Sequence, residues 1–143
     1  MDLDASLDAP CPPTELFAWV EDLTRYPQWM SIVTRAEPDA SGGWVVDLRG
    51  RFGPLARSKR LRMIRTTLEP DHLVVFERSE SDGRVHSPWI LRAAVEPRPA
   101  GSRLEMRLHY GGGLWASMLE RMLRDEIEQS RARLLALVSG RTR

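Results

Sequence analysis

A chain of 143 residues, 42% hydrophobic and 29% charged, holds enough apolar side chains for one core and leaves no room for a second domain. Its 21 basic and 20 acidic residues nearly cancel, so no global field draws it to nucleic acid or an acidic membrane. No run approaches the roughly 18 apolar residues of a membrane span, and the start, Met1-Asp2-Leu3-Asp4, is acidic where a signal peptide is basic, so the expectation is a single cytoplasmic domain over residues 1–143.

Residues 2 to 9 alternate Leu3, Ala5, Leu7 and Ala9 against Asp2, Asp4, Ser6 and Asp8, the period of a half-buried strand. Lone Cys11 cannot form an internal disulfide and reads as a small buried side chain. Pro12-Pro13-Thr14 opens a helix expected to run to Leu23, and a second helical turn follows from Arg25 to Met30. Six strands are then expected: Ile32 to Glu37, Gly43 to Phe52, Leu55 to Leu68, His72 to Glu80, Val85 to Glu96 and Ser102 to Tyr110. The segments between them carry turn residues and are hairpin-short, so the sheet should be antiparallel. After Gly111-Gly112-Gly113 the period becomes helical from Leu114 to Val138, roughly 37 Å of helix. Glu120 with Arg124 and Glu128 with Arg131 support it, and residues 140–143 read as a frayed basic tail.

This order of elements, the segment Asp22-Leu23-Thr24-Arg25-Tyr26-Pro27-Gln28-Trp29 and the glycine-broken passage into the last helix resemble the START-like (SRPBCC) superfamily, within it the polyketide cyclase/dehydrase-like branch. The resemblance implies an α+β helix-grip fold: a seven-stranded curved antiparallel sheet around a long C-terminal helix, two short helices after the first strand, and a cavity between sheet and helix. It also implies lipid carriage, small-molecule reception or cyclase chemistry, among which fold alone does not choose.

Alternation places Trp44, Val46, Leu48 and Phe52 inward on one strand; Leu61 and Met63 share a face with Arg57, Lys59 and Arg65 on the next. Trp89 and Leu91 share a face, as do Met106, Leu108 and Tyr110, whereas the strand around Phe76 is apolar on both sides. The expected ligand wall is Trp29, Trp44, Val46, Leu48, Met63, Phe76, Trp89, Leu91, Met106 and Leu108, closed by Met118, Leu119 and Met122 of the long helix. Glu126 falls inside that helix's apolar stripe and must be paired, protonated or at a mouth; Arg57, Lys59 and Arg65 are its expected partners.

Arg57, Arg65, Tyr110 and Glu126 are the candidate catalytic groups, the arginines for orienting an oxygen-rich ligand. His72, His86 and His109 lack any metal-ligand spacing, with His86 and His109 expected to face outward on strands. No metal, cofactor or nucleotide motif is present. The first functional reading is a binder of a hydrophobic small molecule, as monomer or homodimer, with neither nucleic acid nor a membrane span as partner. The alternative is a polyketide aromatase/cyclase-dehydratase-type enzyme. A third, a nucleic-acid or anionic-surface module, rests on the basic run Arg49, Arg51, Arg57, Lys59, Arg60, Arg62 and Arg65.

Overall fold

The structure, a computed structural model, describes residues 2–52, 55–111 and 116–139, without the side chains of residues 51, 52, 55–57 and 116–119. Trp115, the Gly112-Gly113 corner and the tail from Gly140 lie outside the described residues, as do the side chains of Phe52, Arg57, Met118 and Leu119.

In chain order the elements are β1 (Asp2–Ala9), α1 (Pro13–Ala18), a 3₁₀ helix (Leu23–Gln28), β2 (Val33–Pro38), β3 (Trp44–Phe52), β4 (Leu55–Glu69), β5 (Leu73–Arg78), β6 (Trp89–Arg98), β7 (Gly101–Tyr110) and α2 (Ala116–Ser139). The strands form one antiparallel sheet ordered β1-β7-β6-β5-β4-β3-β2. β1 and β2 are therefore its two edges. The long helix α2 lies against β1 and β3, gripped by the curl of the sheet. Bulges between Val33 and Arg35 and between Arg65 and Thr67 add local bend and twist to the strands that carry them.

Alternation holds along β1: Leu3 and Leu7 are buried, while the outward acids meet their register partners on β7. Asp4 pairs with Arg107 at 2.7 Å, Asp8 with Arg103 at 2.8 Å and Asp2 with His109 at 2.9 Å. Exposed pairs like these contribute little energy each, but a slip by one residue would lose all of them and turn the leucines to water. On β5, whose sequence left both faces open, Val74 and Phe76 are fully buried and Leu73 and Val75 half-buried.

Two boundaries differ from the expectation. Helix α1 stops at Ala18 and not near Leu23. Its end is tightened by i to i+3 bonds, Trp19 N–H to the Leu16 carbonyl and Val20 N–H to that of Phe17, and the Arg25 side chain takes the Ala18 carbonyl. Strand β6 begins at Trp89, not Val85. Pro88 has no N–H for a ladder, and the 79–88 segment is folded on itself: Arg78 reaches the Ser87 carbonyl and the His86 ring, and His86 Nε2 lies 2.9 Å from Asp82. His86 is thus a loop residue, and Val85 is left exposed.

The turn before β3 is organised by Asp39, which accepts from Arg62 Nε at 2.7 Å and from the Gly43 and Ser41 N–H groups. The Arg62 guanidinium first, and the Gly43 amide next, hold the Asp39 carboxyl down at about 2 against an ordinary 3.8. A carboxyl with a lowered pKa in the folded state contributes stability that is complete above its unfolded value and is lost as pH falls through the folded one. The thermal-stability gap between wild type and Asp39→Asn should therefore be constant from neutral pH down to about 4 and shrink toward zero near pH 2. A gap independent of pH over that window would show that the pair does not act through this charge.

Candidate functional site

The end wall of the site comes from one short segment. Asp22 caps the 3₁₀ helix by accepting the Thr24 N–H at 2.9 Å, and Pro27 sits within it. At three residues per turn, Leu23, Tyr26 and, just past the end, Trp29 fall on one side, and all three line a cavity under the sheet. Their polar atoms point elsewhere: Tyr26 Oη donates to the Val20 carbonyl at 2.9 Å and Trp29 Nε1 to the Trp19 carbonyl at 3.0 Å. The rings pack against each other, tilted by 44° with centres 4.9 Å apart, and present carbon to the cavity. Burial pushes the Tyr26 phenol well above its ordinary range, so it stays neutral.

The cavity measures about 160 Å³. Its walls are Leu3, Ala5 and Leu7 of β1, Met30, Ile32 and Val33 around the start of β2, Val46 and Leu48 of β3, and Leu61 and Met63 of β4. Trp89 and Leu91 of β6, Leu104, Met106 and Leu108 of β7, and Leu123, Ile127 and Leu134 of α2 complete them. A dry apolar cavity of about 150 Å³ is enough for a benzene ring.

Polar residues border the cavity at two places. In the wall, Glu126 of α2 is half-buried and accepts a hydrogen bond from Ser31 Oγ, with Ser130 buried one turn further along. At the β1 edge, Asp4, Ser6 and Arg131 border both the cavity and a polar groove outside it. There Arg131 Nε donates to the Ser6 carbonyl at 2.9 Å, occupying an acceptor that an edge strand would otherwise expose. The helix is thus tied to the chain on both sides, to Ser31 before β2 and to Ser6 on β1.

Of the residues expected in the wall, Trp29, Val46, Leu48, Met63, Trp89, Leu91, Met106 and Leu108 line the cavity. Trp44, Phe76 and Met122 are buried but are not among its described lining residues. Tyr26 sits edge-on to Phe76 at 6.2 Å, and Phe76 edge-on to Trp44 at 5.5 Å, so these two rings form a second layer. The Trp44 indole N–H is spent on Thr24 Oγ1 at 3.1 Å. Met122 instead packs its methyl over Gly50, where a Cβ would overlap it.

The described candidate catalytic side chains are not brought together. Arg65 leaves the inner face, donates to the Glu21 carbonyl at 2.8 Å and lies 5.7 Å over the Trp44 ring, bracing β4 against the segment after α1. Tyr110 is fully buried beside Trp89, 5.5 Å between ring centres, and is not among the described lining residues. The Arg57 side chain lies outside the described residues. Among the described candidates Glu126 alone borders the cavity, and its hydrogen bond is to Ser31, not to Lys59 or Arg65. Lys59 lies toward Arg78 and Glu80; burial and the Arg78 charge lower its pKa.

Sequence reasoning missed Tyr26, Met30, Ile127 and Ser130 at the cavity, the inward residues of β1, and Ser31 as the partner of Glu126. Tyr26 could have been found, because three-residue spacing ties it to Leu23 and Trp29. Ser31 could not, since its partner is 95 residues away.

In overall shape the chain is similar to a START superfamily protein from Mycobacterium smegmatis, with a TM-score of 0.72 at 12% identity over 99% of both chains. It is likewise similar to the di-domain ARO/CYC StfQ from the steffimycin biosynthetic pathway, with a TM-score of 0.70 at 13% identity, covering 98% of this chain and 51% of that one. Among curated proteins no sequence matches. Family and fold fit a hydrophobic-ligand-binding or polyketide-cyclase-like role, and no helix among the described residues is long and apolar enough to cross a membrane. The model of the family described as polyketide cyclase / dehydrase and lipid transport matches residues 2–138, nearly the whole helix-grip unit, and the chain belongs to that family.

Proposed function

We propose that the protein binds a compact hydrophobic small molecule in the cavity under α2. The observation that carries this reading is the character of the wall: aromatic and aliphatic carbon from six of the seven strands, the 3₁₀ helix and α2, with the Tyr26 and Trp29 polar atoms turned away onto backbone carbonyls. Such a surface rewards apolar ligands and gains little from sugars or nucleotides. At about 160 Å³ it holds one ring as it stands.

The test is a thermal shift with toluene. At ten times its Kd a ligand adds about 1.4 kcal/mol, a rise in Tm of roughly 5 °C for a domain of this size. Leu91→Trp, which fills the cavity from β6, should fold and lose the shift. No shift in the wild type, or an equal shift in Leu91→Trp, would overturn the proposal.

A second reading, cyclase-like turnover, is favoured by one observation: a residue able to act as a proton acceptor, Glu126, borders the cavity. Product formation from a poly-ketone by the wild type, lost in Glu126→Gln, would support it over simple binding. The nucleic-acid reading draws less support, since Arg60 and Arg62 of the basic run are paired with Asp47 and Asp39 at 2.7 Å.

A further inference from the structure

We infer that Met122 of α2 is the stop that sets the size of ligand the cavity admits, holding it to a single ring by filling a notch left in β3 at Gly50. This rests on the reading of the cavity as a ligand site and adds the residue that selects among ligands by size.

The notch follows from side-chain alternation. Val46, Leu48 and Gly50 occupy successive inward positions of β3, and the first two line the cavity. At the third there is no side chain, so the wall that Val46 and Leu48 build stops short. What stands there is the end of Met122: its methyl group lies where a Cβ of residue 50 would be, and the Ile32 side chain ends 3.8 Å from the same point. Ile32 lines the cavity, and so do Leu123 and Glu126, the next residue of α2 and the one a turn further on. Met122 itself is 7% exposed and is not among the described lining residues. It is packed between helix and strand, beside the part of the cavity bordered by Ile32, Leu48 and Leu123.

The residue types matter here. A side chain on β3 would fill the notch from the strand and make a fixed wall. Methionine fills it from the helix with an unbranched, adaptable chain, the kind that occupies irregular gaps and tolerates replacement. Truncating a buried side chain leaves a space that its surroundings only partly reclaim. At position 122 that space adjoins a void already present, so its loss extends the cavity. About 160 Å³ takes one ring, and a fused second ring needs the volume that Met122 holds.

The test uses the full chain, with Kd for toluene and for naphthalene taken from the dependence of Tm on ligand concentration. The wild type should bind toluene at least tenfold tighter than naphthalene. Met122→Ala should shift that ratio at least tenfold toward naphthalene, which has three carbons more, each buried methylene-sized group being worth roughly fourfold in affinity. Adding Gly50→Val to Met122→Ala refills the notch from the strand and should restore the wild-type ratio. Val138→Ala, an equally buried truncation at the far end of the same helix, should leave the ratio unchanged. Equal binding of the two ligands by the wild type, a ratio that Met122→Ala moves no more than Val138→Ala does, or a shift that survives Gly50→Val overturns the assignment of Met122 and leaves the cavity reading standing. No toluene binding by the wild type overturns both. Should Met122→Ala fail to fold, Met122→Val decides, with a shift of the same sign expected and its absence overturning the assignment.

Discussion

Trp29→Ala is expected to lower the unfolding free energy by about 3–5 kcal/mol, the range for removing a large buried aromatic side chain. For a domain whose whole stability is of order 5–15 kcal/mol this is a large fraction. Trp29 is 3% exposed, packs against the Tyr26 ring with centres 4.9 Å apart and donates to the Trp19 carbonyl at 3.0 Å. Its removal would extend a void that already exists, so the walls cannot easily collapse to fill the gap, and the loss belongs at the upper end of the range. Trp29→Phe separates the two contributions. It keeps an aromatic ring against Tyr26 and loses the indole N–H, leaving the Trp19 carbonyl without that donor, at a cost of about 1–2 kcal/mol. Guanidinium unfolding of both variants checks this. A loss below about 1 kcal/mol for Trp29→Ala would mean that the tryptophan of the Tyr-Pro-x-Trp segment does not hold the end wall.

Gly101→Ala is expected to cost about 3 kcal/mol, from a strained backbone and a backbone overlap together. Gly101 opens β7 with φ at +150°, a conformation L side chains rarely adopt, and a Cβ there would overlap the carbonyl oxygen of Ala9. That oxygen cannot step aside: it belongs to the end of β1, where the chain turns toward α1, and the neighbouring Ser102 hydroxyl grips the Cys11 carbonyl at 2.8 Å. Two other glycines provide the comparison. Gly83, also at positive φ (+73°), faces open space, and its alanine variant should lose about 1 kcal/mol by strain alone. At Gly50 the overlap is with the end of the flexible Met122 side chain, which can rotate away, so Gly50→Ala should cost less than Gly101→Ala. Equal effects at Gly83 and Gly101 would show that the contact with Ala9 contributes nothing.

The helix-grip fold was legible because each of its signals is local. Period-2 alternation along β1, β3, β6 and β7 names the inward side chains wherever a sheet has one buried face, and those residues are the ones found buried or half-buried. Alternation does not say how far along the sheet a residue meets the cavity, or what else stands between. Trp44 and Phe76 face inward as expected, yet Phe76 packs edge-on to Tyr26, brought over by the 3₁₀ helix, and Trp44 packs edge-on to Phe76. Arg65 also belongs to the inner face, yet its long side chain reaches the Glu21 carbonyl in the segment after α1. Strand β6 was misjudged at its start because Val85 has strand propensity, while Pro88 and the Arg78–His86–Asp82 contacts hold that stretch in a loop.

By itself, then, the sequence determined the order of elements, the antiparallel sheet and the apolar character of its inner face, since turn residues and side-chain period act over a few neighbours. It also marked Glu126 as a carboxyl in an apolar stripe. Only the tertiary structure decided which inward side chains bound the cavity, how large it is, and that Glu126 meets Ser31 in place of an arginine. Those outcomes depend on contacts between residues far apart in the chain, set by the curl of the sheet and the seating of α2, which no local pattern encodes.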